Sequence, residues 1–153
     1  MPIRFATLSD VPALVASATR AHALTRLRSQ PYNTQRATEA FTTLIEQRRS
    51  KYGCFVAEDA RGRIVGTLIG TIEQQILSDA RTASVMHFSM LPESRVGEYG
   101  VRLLRAFETW SANRGATEIE FGVDGAEVKR LGRLARKVGF RAMGRSYVKE
   151  AQV

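Results

Sequence analysis

Residues 92–104 read PESRVGEYGVRLL, and the manner in which this stretch opens a helix decides the fold. Pro92 closes what comes before it. Gly97 and Gly100 then allow a tight turn into a helical run. Counting from Gly100, the residues Leu103, Leu104, Phe107, Trp110 and Ser111 follow at i+3, i+4, i+7, i+10 and i+11. That spacing puts them on one buried stripe, with Arg102, Arg105 and Thr109 outside. Gly115 lies just past the end, where helices commonly stop. A glycine-bearing turn that feeds a helix start aims several free N–H groups at one spot, with the helix dipole behind them. Such a spot favours an anion such as a pyrophosphate.

Upstream of this helix the period is that of strands. ASVMHFSML (83–91) is an apolar strand that ends before Pro92. CFVAEDA (54–60) and RIVGTLIGTIEQQI (63–76) are β-branched and apolar, joined by a tight turn around Arg61-Gly62, which predicts a hairpin. Gly66 and Gly70 within the second of these strands imply a bulge or a close backbone approach. Further towards the N-terminus, IRFATL (3–8) is a short strand, and Ser9 or Asp10 can cap a helix over 11–27, with Pro12 in its first turn. Its stripe is Val11, Leu14, Val15, Ala18 and His22. SQPYNT (29–34) breaks that helix. A second one over 34–50 carries Phe41, Leu44, Ile45 and Arg48 on one face.

Downstream, TEIEFGV (117–123) is a strand. Asp124 with Glu127 forms a capping-box pattern that opens a helix over 126–138, with Val128, Leu131, Leu134, Ala135 and Val138 as its apolar face. Gly139 ends it, and FRAMGRSYVKE (140–150) is expected to return as a terminal strand. The order is β-α-α-β-β-β-α-β-α-β. It specifies an α/β (α+β) fold with a mixed, mostly antiparallel sheet flanked by four helices, one domain over residues 1–153. Strands 83–91 and 117–123 should run parallel and splay apart, because the helix between them is a crossover.

Composition narrows the function classes. Hydrophobic residues make up 44% and charged residues 25% of the 153 positions, a globular balance that argues against disorder. No apolar stretch approaches the roughly 20 residues that span a bilayer, and MPIRFATLSD has no apolar secretory core. The expectation is a cytoplasmic protein with no membrane partner. Cys54, the single cysteine, sits in an apolar run and reads as a buried thiol. His22, His87 and Cys54 have no metal-ligand spacing. The net charge is +8, and between Arg95 and Lys149 twelve basic residues face six acidic ones. A field of that sign attracts polyanions. The densest group, Lys129, Arg130, Arg133, Arg136 and Lys137, reads either as a solvated helix face or as a contact for nucleic acid or an acidic protein.

The element order and the run from Pro92 to Leu104 together resemble the GNAT N-acetyltransferases. That family's cofactor loop has Arg or Gln, two residues, Gly, one residue, then Gly or Ala opening a helix with a Leu-Leu pair. Arg95, Gly100 and Leu103-Leu104 fall on those positions, and Tyr99 fits a subset of the family; Glu98 stands where the middle glycine would be, with Gly97 one residue early. The closing Gly139-Phe140 and SYVKE are similar to the family's last helix end and terminal strand. The resemblance implies acetyl-CoA as co-substrate, held by Met90, Arg95, Val96, Gly97, Glu98, Tyr99 and Gly100, and acetyl transfer to an amine of unknown identity. Glu98 beside a pyrophosphate repels it unless the side chain turns to solvent or pairs with Arg95 or Arg102.

The family often places a base on the strand before the loop. That strand here has no carboxylate; Ser84 lies near one usual base position, and His87, its one strong titratable group, reads either as a base or as a histidine packed on the sheet. A tyrosine acid four residues before the closing glycine is replaced by Ala135, and Tyr147 is the nearest substitute by type. Two readings stay open: an acyl-CoA-dependent N-acyltransferase, or a GNAT-fold module that binds nucleic acid or serves a larger assembly without chemistry. Either is compatible with a homo-oligomer.

Overall fold

The chain is described by a computed structural model that covers residues 3–47, 51–91, 96–123 and 128–151. Arg48, Pro92, Arg95 and the Asp124/Glu127 capping pattern lie outside the described residues, and Val96 is described in its backbone alone. The strands are β1 (Ile3–Phe5), β2 (Tyr52–Glu58), β3 (Ile64–Gln74), β4 (Arg81–Met90) and β5 (Ala116–Phe121). The helices are α1 (Val11–Leu24), α2 (Thr34–Glu46), α3 (Val96–Asn113) and α4 (Val128–Val138). Among the described residues, no helix is long and apolar enough to cross a membrane.

The five strands form one sheet in the order β1-β2-β3-β4-β5. Every neighbouring pair is antiparallel except β4 and β5, which run parallel across the α3 crossover. The hairpin expected around Arg61-Gly62 is present. Its turn is tied by Asp59, whose Oδ1 accepts from the backbone N–H groups of Arg61 and Arg63 at 2.9 Å each.

Period-2 alternation divides the side chains of the sheet between two cores. Cys54, Val56 and Ile69 face α1 and α2, where they meet Val11, Leu14, Val15, Phe41 and Ile45. Phe55, Leu68, Ile72 and Ala83 face α3 and α4. There the predicted stripe of Leu103, Leu104, Phe107 and Trp110 is buried, and Leu134 of α4 joins it. Phe107 is stacked on Trp110 with centroids 5.6 Å apart, and Phe55 meets both rings edge-on. Cys54 is 2% exposed, and burial pushes its thiol up to about 12, so it acts as a small apolar group.

Two features shape the open end of the sheet. Ile69 pairs with His87 while Gly70 pairs with Val85, so Met86 bulges out of β4 with no partner across the ladder. The bulge shifts the alternation by one. Ala83 and Val85 before it, and Phe88 and Met90 after it, all face α3 and α4. Second, the parallel ladder to β5 ends at Val85–Phe121, although β4 continues to Met90. The two strands therefore splay, as expected, and among the described residues the β5-facing edge of His87–Met90 has no strand beside it.

Gly66 and Gly70 are explained by close approach. A Cβ on Gly70 would lie 2.1 Å from the Phe107 ring, and one on Gly66 would lie 2.4 Å from Met90 Sδ. Gly70 also sits at the bulge.

Three local expectations are corrected. The terminal strand over 140–150 does not form: residues 140–151 carry no ladder, and Arg141 onward is exposed. Gly144 adopts φ +61°, which interrupts an extended run, and charged residues on both sides of it give no apolar face to bury. The first strand ends at Phe5 rather than at residue 8, because Leu8–Asp10 form a 3₁₀ turn. Asp10 makes no side-chain cap on α1. Its carboxylate instead accepts from Thr7 N at 2.7 Å and from both terminal nitrogens of Arg4 at 2.8 and 2.9 Å. Those hydrogen bonds hold Asp10 below the usual carboxylate range and Arg4 above the usual arginine range.

Candidate functional site

The splay opens into a cavity of about 270 Å³, close to the lower end of small-molecule pockets. Its roof is the end of α1 and the residues after it, from Ser17 to Leu27. Its floor is the start of β3 and the second half of β4, and its far wall is Phe121–Val123 with Arg130 and Leu131 of α4. The bulge at Met86 is what turns the floor polar. With the alternation shifted, His87 and Ser89 face the α1/α2 side, and Thr67 lies directly across from Ser89 in the ladder.

His87 Nε2 lies 3.2 Å from Ser89 Oγ, and the ring of Phe41 meets the imidazole edge-on with centroids 6.2 Å apart. The imidazole is partly open to the cavity yet surrounded by protein, and this burial lowers its pKa below the ordinary histidine value. At neutral pH His87 is therefore a neutral imidazole with a nitrogen lone pair to offer. Thr67 is 1% exposed, and its Oγ1 has no hydrogen-bond partner among the described residues. A buried hydroxyl left unsatisfied costs about 1–3 kcal/mol, so it invites a polar partner.

Of the residues expected at a cofactor loop, Met90 lines the cavity at the last position of β4. Val96 to Gly100 form the first turn of α3. Gly97 is exposed, and among the described residues a Cβ there would meet nothing within 4 Å. Glu98 turns along the helix to Arg102, at 3.3 Å, one of the two escapes that a carboxylate at this position has. Gly97, Glu98 and Arg102 share a shallow depression with Lys137. Tyr99 packs against the α3/α4 core. Gly100 is buried for a different reason than ligand access: a Cβ would lie 2.9 Å from Leu134 and 3.5 Å from Phe88, so the glycine lets α3 pack closely on α4 and β4.

The structure does not bring Tyr147 to this cavity. It is 90% exposed on the extended C-terminal segment. Ala135 is half-buried on α4. Lys129, Arg133, Arg136 and Lys137 lie on the exposed face of α4, whereas Arg130 turns inward to the cavity wall. Sequence reasoning missed Thr67, Ser89, Arg20, Arg26 and Arg130 as cavity residues. Thr67 did leave a signal, a lone hydroxyl in an otherwise apolar strand. The arginines left none, since a basic residue on a helix end is ordinarily solvated.

Comparison with known proteins agrees with this fold. The model of the acetyltransferase (GNAT) family matches residues 21–140. A solved structure described as a probable acetyltransferase superposes with a TM-score of 0.81 at 15% identity, covering 100% of this chain and 99% of that one. An aminoglycoside antibiotic 6'-N-acetyltransferase from Acinetobacter baumannii superposes at 0.77 with 16% identity, covering 99% and 97%. A transcriptional regulator from Bacillus halodurans superposes at 0.78 with 19% identity, covering 97% and 98%. At such identities the likeness is one of fold. No curated protein matches the chain by sequence.

Proposed function

The chain belongs to the GNAT acetyltransferase family, and from that premise we propose that it transfers an acetyl group from acetyl-CoA to an amine held in the cavity. The observation that carries the proposal is the open edge of β4 from His87 to Met90, which borders the cavity beside a neutral imidazole. An extended arm bearing amides suits such an edge, because it can hydrogen-bond there as a strand would. The start of α3 then lies ahead of β4, with Gly97 exposed, Glu98 drawn off by Arg102, and the side chains of Arg102 and Lys137 nearby for phosphate oxygens. Arg95, expected from the resemblance to join them, lies outside the described residues.

The chemistry asks for one deprotonation before the attack and a second after it. An ammonium group must shed a proton before its lone pair can attack, and His87 is placed to accept it. The amine nitrogen then bonds to the thioester carbonyl carbon and gives its second proton to solvent, the C–S bond breaks, and the thiolate leaves and takes a proton from solvent. Ser89, hydrogen-bonded to His87 Nε2, orients the ring. Titration calorimetry with acetyl-CoA tests the reading. The wild type should bind, and Glu98→Gly should bind more tightly, since it removes a carboxylate and leaves Arg102 to the ligand. Absence of binding by both proteins defeats the proposal. It would favour the second reading, a binding module, for which the exposed basic face of α4 at Lys129, Arg133, Arg136 and Lys137 is the supporting observation.

A further inference from the structure

We infer that the chain pairs with a second copy of itself by exchanging C-terminal arms, each laid as an extra strand along the outer edge of the other copy's β5. β5 ends the sheet order, so among the described residues one edge of its backbone has no strand beside it. Such an edge is a template for another strand. The arm is residues 140–151. Phe140 holds its root, with its ring 6.0 Å from that of Phe121 at the end of β5. Gly139 and Gly144 take φ of +104° and +61°, which bend the chain on either side of 141–143. Over 141–151 the backbone enters no ladder and makes no backbone hydrogen bond among the described residues. Along it Met143, Tyr147 and Val148 stand 62%, 90% and 75% exposed. Large apolar side chains left in water beside unpaired backbone mark an interaction site.

Charge selects the occupant. On β5, Ile119 and Phe121 point into the α3/α4 core, which leaves Glu118 and Glu120 exposed on the opposite face. The arm beyond Gly144 alternates in the same way, with Arg145, Tyr147 and Lys149 on one side. Laid with that side beside the glutamates, it brings two cations against two carboxylates. With a net charge of +8 on each copy, most faces of two copies repel one another, and the acidic edge of β5 is where a basic arm can land. In the single chain the arm stands unpaired, so this pairing is left to a second copy. The exchange is reciprocal about a two-fold axis, each copy giving an arm and receiving one, so neither β5 edge is left open to propagate. From each copy, the arm and the six residues of β5 approach the roughly 20 residues a side of a stable interface.

Sedimentation velocity on the full chain at micromolar concentration should give twice the 17.0 kDa of one chain. Tyr147→Pro combined with Val148→Pro removes two consecutive N–H groups, one of which faces β5 whichever side the arm presents, and should weaken dimerisation at least about tenfold. Glu118→Lys combined with Glu120→Lys should weaken it by a similar factor. Adding Arg145→Glu and Lys149→Glu to that pair should bring the affinity back to within about threefold of the wild type. All six positions are exposed, so each variant should melt as the wild-type monomer does. Amide exchange over 145–149 should be slow in the dimer and fast once dilution gives monomer. A wild type that stays monomeric overturns the inference, as does a dimer whose affinity ignores the prolines or the charge reversals. Protection of 145–149 that persists in the monomer would put the arm on its own edge, and overturns it as well.

Discussion

Gly66 and Gly70 lie four residues apart on β3 and face the same helix, so replacing each with alanine should separate rigid from yielding contacts. At Gly70 the new methyl would sit 2.1 and 2.3 Å from two atoms of the Phe107 ring. That ring is fully buried, stacked on Trp110 and wedged against Phe55, so it cannot turn aside without moving both. Overpacking of this kind typically costs 1–3 kcal/mol, and the rigidity of the aromatic cluster puts Gly70→Ala near the top, at about 3 kcal/mol. At Gly66 the clash at 2.4 Å is with Met90 Sδ, the far end of a flexible chain beside an open cavity. There the methionine can swing away. Neither glycine has a positive φ, so alanine also restricts the unfolded chain, which returns about 0.4–1 kcal/mol. Gly66→Ala should then lie within about 1 kcal/mol of the wild type. Urea denaturation reads the difference. With a slope of about 2 kcal/mol/M, Gly70→Ala should lower the midpoint by about 1.5 M and Gly66→Ala by less than about 0.5 M. Equal shifts for the two variants would refute the argument from ring rigidity.

Two further outcomes follow from the titrating groups. His87, with its pKa lowered from 6.5 by burial, should give kcat/KM an acid limb that inflects below that value and a plateau through neutral pH, and His87→Asn should lower kcat by about 10²–10⁴-fold; a His87→Asn variant with wild-type kcat would exclude His87 as the base. Arg4→Met should cost about 3 kcal/mol at pH 7, because it strands the Asp10 carboxylate, 8% exposed, without its cation. Asp10 is held below its ordinary value, so this stabilisation exists above about pH 4 and fades as pH falls through the folded value. Chemical denaturation at pH 7 and pH 3 should thus show the gap between Arg4→Met and the wild type shrinking on acidification, and a constant gap would contradict the ion-pair account.

The elements with strong periodicity were legible in the sequence. The α3 stripe from Leu103 to Ser111 is buried as its spacing requires, and the β2–β3 hairpin turns where Gly62 allows it. The parallel splay followed from the crossover alone. The terminal segment was misread because SYVKE has strand-like composition, whereas its fate depends on Gly144 and on whether a partner edge accepts it. Composition cannot report that. At the site, His87 and Met90 were found because they lie on a strand whose position was clear. Arg20, Arg26 and Arg130 were not, because their place beside the cavity depends on which way helix ends point in three dimensions. Gly100 was assigned to ligand access, and its neighbours Leu134 and Phe88 supply a packing reason that no one-dimensional reading contains.

The extra residue at Met86 acts as a phase shifter in the chain. Before it, odd-numbered residues of β4 point to the α3 side; beyond it, even-numbered ones do. Counting along this strand therefore gives correct sidedness only if the count restarts at Met86. Deleting Met86 would only remove the bulge, because Val85 and His87 already pair with the adjacent residues Gly70 and Ile69. Taking Met86 into the ladder at unchanged length would instead send the imidazole towards the aromatic core and deliver Phe88 to the cavity floor. The chemical character of this floor is thus stored in the parity of positions as well as in which side chains the strand contains, and it depends on Met86 staying outside the ladder.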